Sequence, residues 1–136
     1  MLDIAKVIWE VGKGLFGIRN DLQKAGRDRR DRLAAYFGDL AALIESVSAS
    51  LKVQQYPHGS CAQLHALAQL MQETLRGLVD PVQARDYQEK LMQVWEIEQL
   101  FGQLQGKPDT AVQKSLIQMD EAAGFFRATA AHLKVV

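Results

Sequence analysis

The chain contains one cysteine and three prolines in 136 residues. A single thiol, Cys61, excludes an internal disulfide and makes a reducing compartment the default. Net charge is zero, which speaks against a dedicated nucleic-acid binder. The few aromatic residues lie on helix seams and are not interleaved with basic residues, as a nucleic-acid platform requires. The longest stretch without Asp, Glu, Lys or Arg, residues 53–72, is broken by Pro57 and Gly59 and rich in Gln, so no ordinary transmembrane helix is expected. The opening Met-Leu-Asp-Ile lacks the basic region and clean apolar core of a signal peptide. A P-loop, an H-E-x-x-H pair and a supported Ser-His-Asp or Cys-His arrangement are all missing. Short loops leave little room for a loop-built active site. The expectation is therefore a protein without enzymatic activity and without a cofactor.

What the chain has is helical periodicity. Hydrophobic residues make up 48% of the sequence, enough for one compact domain over residues 1–136. The organising stretch is Asp21 to Gln54. From Leu33 the apolar residues step alternately by four and three: Leu33, Phe37, Leu40, Ile44, Val47, Leu51. That spacing draws one stripe along a helix about 50 Å long at 1.5 Å per residue. Other stripes follow. Cys61, Leu64, Ala68, Met71, Leu75 and Leu78 predict a helix over 61–78, capped by Ser60. Asp80-Pro81 is a helix start, with a cap residue and then proline at the first position. The stripe after it is Ala84, Tyr87, Leu91, Val94, Glu98 and Phe101, flanked by Trp95 and Leu104. Val112, Leu116, Met119, Ala123, Phe126, Ala130 and Leu133 mark a last helix. The spacing thus predicts an all-α fold, a helical bundle with a four-helix-bundle-like core and about five helices. They are placed near 2–19, 21–54, 61–78, 81–105 and 110–134.

The first helix has an unusually wide apolar wheel. Asp3, Lys6, Glu10 and Lys13 fall within about 80° of arc. Ile4, Val7, Ile8, Val11, Leu15 and Ile18 form one apolar side, and Leu2, Trp9 and Phe16 extend it. Such a helix is either central in a bundle or has a second apolar use, entry into a bilayer interface. Gly12-Lys13-Gly14-Leu15-Phe16-Gly17 spells G-x-G-x-x-G. It is no dinucleotide fingerprint, because no strand precedes it and helical periodicity runs through it. The three glycines weaken the helix. They permit close helix contacts or mark a segment that rearranges.

Residues 1–34 carry eight Lys/Arg against five Asp/Glu. Much of that excess lies in Arg27-Asp28-Arg29-Arg30-Asp31-Arg32, which reads as a solvated face with internal ion pairs. Extending the heptad backward puts Arg30 on the seam, and Glu98 is the polar misfit on its own stripe. A buried Arg30–Glu98 ion pair would reconcile both. His58, Cys61 and His65 spell H-x₂-C-x₃-H. Metal binding is compatible with that spacing, but no fourth ligand is evident beyond His132. A buried thiol beside turn and rim histidines accounts for the same residues, and no metal site is assigned.

The opening Leu-Asp-Ile-Ala-Lys-Val-Ile-Trp-Glu-Val-Gly-Lys-Gly-Leu-Phe resembles the N-terminal domains of bacterial immune-type signalling proteins. So do Arg-Arg-Asp-Arg-Leu-Ala-Ala-Tyr-Phe and the later Tyr-Pro-His-Gly-Ser-Cys-Ala-Gln-Leu. The family resembled is the Bell domains, bacterial counterparts of fungal HeLo domains, over residues 1–105. The resemblance implies a helical-bundle effector that targets membranes and causes regulated cell death. It implies activation by oligomerisation, through an upstream receptor or an amyloid-motif partner. It also implies a cytoplasmic resting state and action at the inner membrane, as the N-terminal effector domain of a longer or partnered protein. By position the membrane-active segment is Leu2, Ile4, Val7, Ile8, Trp9, Val11, Leu15, Phe16 and Ile18. Contacts to anionic lipid headgroups then fall to Lys6, Lys13, Arg19, Arg27, Arg29 and Arg32. The charged strip on this helix departs from a fully apolar span and points to interfacial insertion or an oligomeric pore. The other expectation from the residues is a non-enzymatic adaptor bundle for protein–protein docking.

Overall fold

A computed structural model describes residues 4–93, 101–102 and 109–136. Seven helices are bounded among the described residues, with no strand: α1 (Ile4–Gly17), α2 (Arg19–Leu22), α3 (Arg27–Lys52), α4 (His58–Ala68), α5 (Met71–Thr74), α6 (Pro81–Met92) and α7 (Asp109–Val135). The fold is an all-α helical bundle. Its largest helix–helix interfaces are α3 on α7 and α1 on α7. Beyond these, α1 touches α6, α6 touches α4, and α4 touches α3. The five longer helices therefore close a circuit around one core.

The heptad of α3 does what its spacing demands. Leu33, Phe37, Leu40, Ile44, Val47 and Leu51 are all buried. Ala34, Tyr36, Ala41 and Ser48 are buried as well, so α3 is covered on a wider face than a two-helix seam. Facing it, Leu116, Met119, Ala122, Ala123, Phe126, Ala130 and Leu133 of α7 are buried. Phe37 and Phe126 meet with ring centroids 6.4 Å apart. On the rim of this interface Arg127 pairs with Glu45, and Lys52 pairs with Asp120 at 2.7 Å.

Two helices expected to be continuous are broken. The expected helix over 21–54 is interrupted between Leu22 and Arg27. Gly26, extended at φ −61° and ψ 162°, is the residue before α3 and offers it no side-chain cap. The expected helix over 61–78 starts earlier, at His58 behind Pro57, and stops at Ala68. Ser60 is therefore inside α4, where its hydroxyl bonds that of Ser46 at 2.7 Å. One further turn, α5, follows, and then a loop in which Gly77 takes φ +81°. A positive φ is accessible to glycine without a Cβ clash. In the turn after α3 the left-handed conformation falls on Gln54, at φ 58°. The amide of Gln55 then donates to Ser50 O and that of Gln54 to Leu51 O, which closes the end of α3 in a Schellman arrangement. The Asp80-Pro81 start is as expected. The Asp80 carboxylate accepts from the amides of Val82 at 2.8 Å and Gln83 at 3.4 Å.

Candidate functional site

The segment the sequence singles out is α1 with its rim. Seven residues of α1 face inward and are buried: Ile4, Ala5, Val7, Ile8, Val11, Gly12 and Leu15. Trp9, Phe16 and Ile18 are half-buried, while Lys6, Glu10, Lys13 and Gly17 are exposed. Leu2 and Asp3 lie outside the described residues. The helix is thus a core helix here, and its apolar arc is spent on α7 and α6.

Two glycines set how close it sits. A Cβ on Gly12 would lie 3.0 Å from the carbonyl oxygen of Ala122 on α7. A Cβ on Gly14 would lie 2.7 Å from the Tyr87 hydroxyl of α6. Gly17 has nothing within 4 Å. Of the two roles open to these glycines, close contact therefore accounts for Gly12 and Gly14.

Along the outer edge of the α1–α7 seam runs a row of rings and cations. The Trp9 indole N–H donates to Glu121 Oε2 at 3.0 Å. Trp9 meets Phe125 edge-on at 6.2 Å, and Phe16 meets the same ring at 5.9 Å. Lys13 Nζ lies 4.7 Å above the Trp9 ring. The Arg19 guanidinium lies 4.2 Å above Phe16 and donates to Phe16 O at 2.9 Å. A cation over an aromatic face contributes about 0.5–1 kcal/mol at exposed sites. Sequence spacing carries the local half of this row: Trp9 and Lys13 are four apart on α1, and Phe16 of α1 and Arg19 of α2 are three apart. Glu121 could not be assigned from the sequence, because its partner lies 112 residues away.

The other basic residues divide into two groups. Arg27 and Arg32 are exposed, as are Lys6 and Lys13. Arg29 instead turns its guanidinium to the carbonyls of Thr74, at 3.1 Å, and Arg76, where α5 ends with carbonyls left open. Arg30 does the same for the connection before α3, donating to Ala25 O at 3.0 Å and Gln23 O at 3.5 Å. The half-buried Arg30 thus has backbone acceptors, and Glu98 lies outside the described residues.

His58, Cys61 and His65 do not form a ligand set. His58 is exposed and meets Tyr56 with the rings tilted and their centroids 4.4 Å apart. Cys61 is buried, and burial pushes its thiol up from 9.0 to about 11, leaving no thiolate at neutral pH. His132 bonds Gln23 at 2.7 Å. Among the described residues no three His, Cys, Asp or Glu side chains are grouped to hold a metal ion. Nor is any helix among them long and apolar enough to cross a membrane. A shallow groove of about 440 Å³ runs between α3 and α4, lined by Asp39, Ala42, Leu43, Gln63, Ala66 and Leu67. Comparison with family models, curated proteins and solved structures finds no match to this chain.

Proposed function

We propose that this chain is a membrane-targeting effector bundle of the Bell and HeLo kind, which causes cell death in a bacterial immune-type system once oligomerised. The observation that carries the reading is the composition of α1. Five aliphatic side chains, Ile4, Val7, Ile8, Val11 and Leu15, are buried in the bundle. Two aromatic rings stand at its rim, each with a cation over its face. Aliphatic burial contributes about 1.5–3 kcal/mol per large side chain. Detaching α1 into water therefore costs on the order of 10 kcal/mol by that measure. A bilayer interface restores an apolar environment to the same residues, with the rings at the boundary and Lys6, Lys13 and Arg19 toward anionic headgroups. The resting protein stays in the cytoplasm, and oligomerisation through a receptor or amyloid-motif partner supplies the bias toward the inner membrane. Nucleic acid and cofactors have no part in this reading, and no enzymatic step is needed.

The test is leakage of vesicles rich in phosphatidylglycerol, with growth arrest in expressing cells. Trp9→Gln with Phe16→Gln keeps a donor near Glu121 and removes both rings. Loss of leakage and toxicity with the thermal melt retained supports the reading. A folded double variant that still leaks vesicles and kills cells removes α1 from the mechanism.

The adaptor reading draws on the groove between α3 and α4. If the intact protein, forced to oligomerise, neither leaks vesicles nor arrests growth, that reading becomes the better one.

A further inference from the structure

The connection between α2 and α3 is tied down in a lopsided way. It runs over Gln23, Lys24, Ala25 and Gly26, outside any helix. Three of its four carbonyls end on one residue. The backbone N–H of Arg30 donates to Gly26 O at 2.8 Å. The Arg30 guanidinium donates to Ala25 O and Gln23 O. Arg30 belongs to α3, so these bonds fasten the loop to the helix that follows it. The Gln23 side chain makes the opposite attachment. Its Oε1 lies 2.7 Å from Nε2 of His132 on α7, the helix against which α1 and α2 pack.

Resting on the reading in which α1 leaves the bundle, we infer that α1 and α2 depart as one unit, turning on the Gln23–Gly26 loop, with Arg30 as the fixed pivot and the Gln23–His132 bond as the latch that must open. Opening α1 and α2 against α7 leaves the Arg30 bonds to Gly26 O and Ala25 O intact, while Gln23, which caps the end of α2, moves with α2 and gives up its 3.5 Å carbonyl contact to Arg30. The Gln23–His132 bond bridges the two bodies and has to break. It is half-buried at both residues, so water only partly compensates its loss. Gly26 offers α3 no side-chain cap, and the amides of Gln23, Lys24 and Ala25 donate to the carbonyls of Arg19, Asp21 and Leu22 in α2. Beyond the buried face of α1 and its Trp9–Glu121 bond, the latch and the apolar contacts of Leu22 and Ala25, both buried, resist the turn.

Hydrogen–deuterium exchange on the whole chain tests this. His132→Ala and Gln23→Ala should each speed exchange in residues 4–22 by about threefold to tenfold relative to 27–52, the worth of one hydrogen bond. The double variant should go no further than either single one. Gln23→Glu, which gives His132 a carboxylate partner, should slow it. Exchange of 4–22 rising in step with 27–52 would overturn the hinge. Singles without effect, or singles that simply multiply in the double variant, would overturn the latch. Vesicle leakage separates this inference from the membrane reading. If exchange changes as expected and no variant leaks phosphatidylglycerol vesicles, the latch stands and the membrane reading falls. If the wild-type chain leaks and exchange is insensitive to both residues, the reverse holds.

Discussion

The hydroxyl of Ser48 on α3 donates to Asp120 Oδ1 on α7 across 2.8 Å. Ser48 is one of the few buried polar residues of the core, and Asp120 reaches in from the rim, its other oxygen on Lys52. Asp120→Ala strands a buried hydroxyl and is expected to lower stability by about 1–3 kcal/mol. Asp120→Asn keeps an acceptor for Ser48 and loses only the attraction of a half-exposed Lys52. It should cost under about 1 kcal/mol. Urea unfolding of the two variants measures the gap, and equal losses would show that the Ser48 bond contributes nothing.

Glycines with the same helical backbone should respond oppositely according to what their missing Cβ would meet. Gly14→Ala drives a methyl against Tyr87, and Gly12→Ala drives one against the Ala122 carbonyl. Each is expected to cost about 1–3 kcal/mol through forced displacement. Gly38 and Gly124 lie within α3 and α7 with open space at the Cβ position. Gly38→Ala and Gly124→Ala should each gain about 0.5–1 kcal/mol from better helix propensity. Thermal melts of the four single variants suffice, and a common sign across them would refute the contact argument.

The end of α3 carries a non-glycine residue in the left-handed region, Gln54 at φ 58°. A side chain there costs about 1–2 kcal/mol, partly offset because glycine is freer when unfolded. Gln54→Gly is therefore expected to stabilise by about 0.5–1 kcal/mol, read as a higher urea midpoint at unchanged slope.

Alkaline pH should loosen the fold through groups whose protons it holds. Burial raises the Cys61 thiol from 9.0 to about 11. It also raises the phenols of Tyr36, whose O–H donates to Leu67 O at 2.6 Å, and Tyr87. A group with a raised native pKa gives its full stabilisation below its unfolded value and loses it as pH climbs toward the native one. Stability should therefore fall from about pH 9 upward. Cys61→Ala, though less stable at pH 7, should show a shallower decline between pH 9 and 11. Native Cys61 should also react with aromatic disulfide reagents far more slowly than in urea. Equal reactivity would contradict its burial.

Periodicity carried the core because burial repeats with the helix. Leu33 to Leu51 on α3 and Leu116 to Leu133 on α7 could be read in advance for that reason. The breaks were harder. Gly26 and Gly77 were visible as residues, yet helical readings ran through both, over 21–54 and, with apolar spacing from Leu75 to Leu78, over 61–78. Stripes register faces, not the carbonyls that a break leaves open. Arg29 and Arg30 answer those carbonyls. Arg30 stood out as a misfit on its stripe, but its loop-carbonyl acceptors have no signature in a sequence. The ring–cation row on α1 was half legible, because Lys13 and Arg19 follow their rings at helical spacing. Its α7 half, Glu121 and Phe125, was not, since nothing local links them to Trp9.

The notch at Gly12 also fixes where α1 belongs on α7. Sliding the helix by one turn, about 5.4 Å, would bring Ile8 or Phe16 to the point now held by Gly12. Sliding it by three residues would bring Trp9 or Leu15. Each carries a Cβ where the Ala122 carbonyl leaves only 3.0 Å. α1 therefore has one seat on its neighbour and no neighbouring stops. A helix that comes away and returns finds either its own register or none, so docking is indexed by the absence of a single side chain.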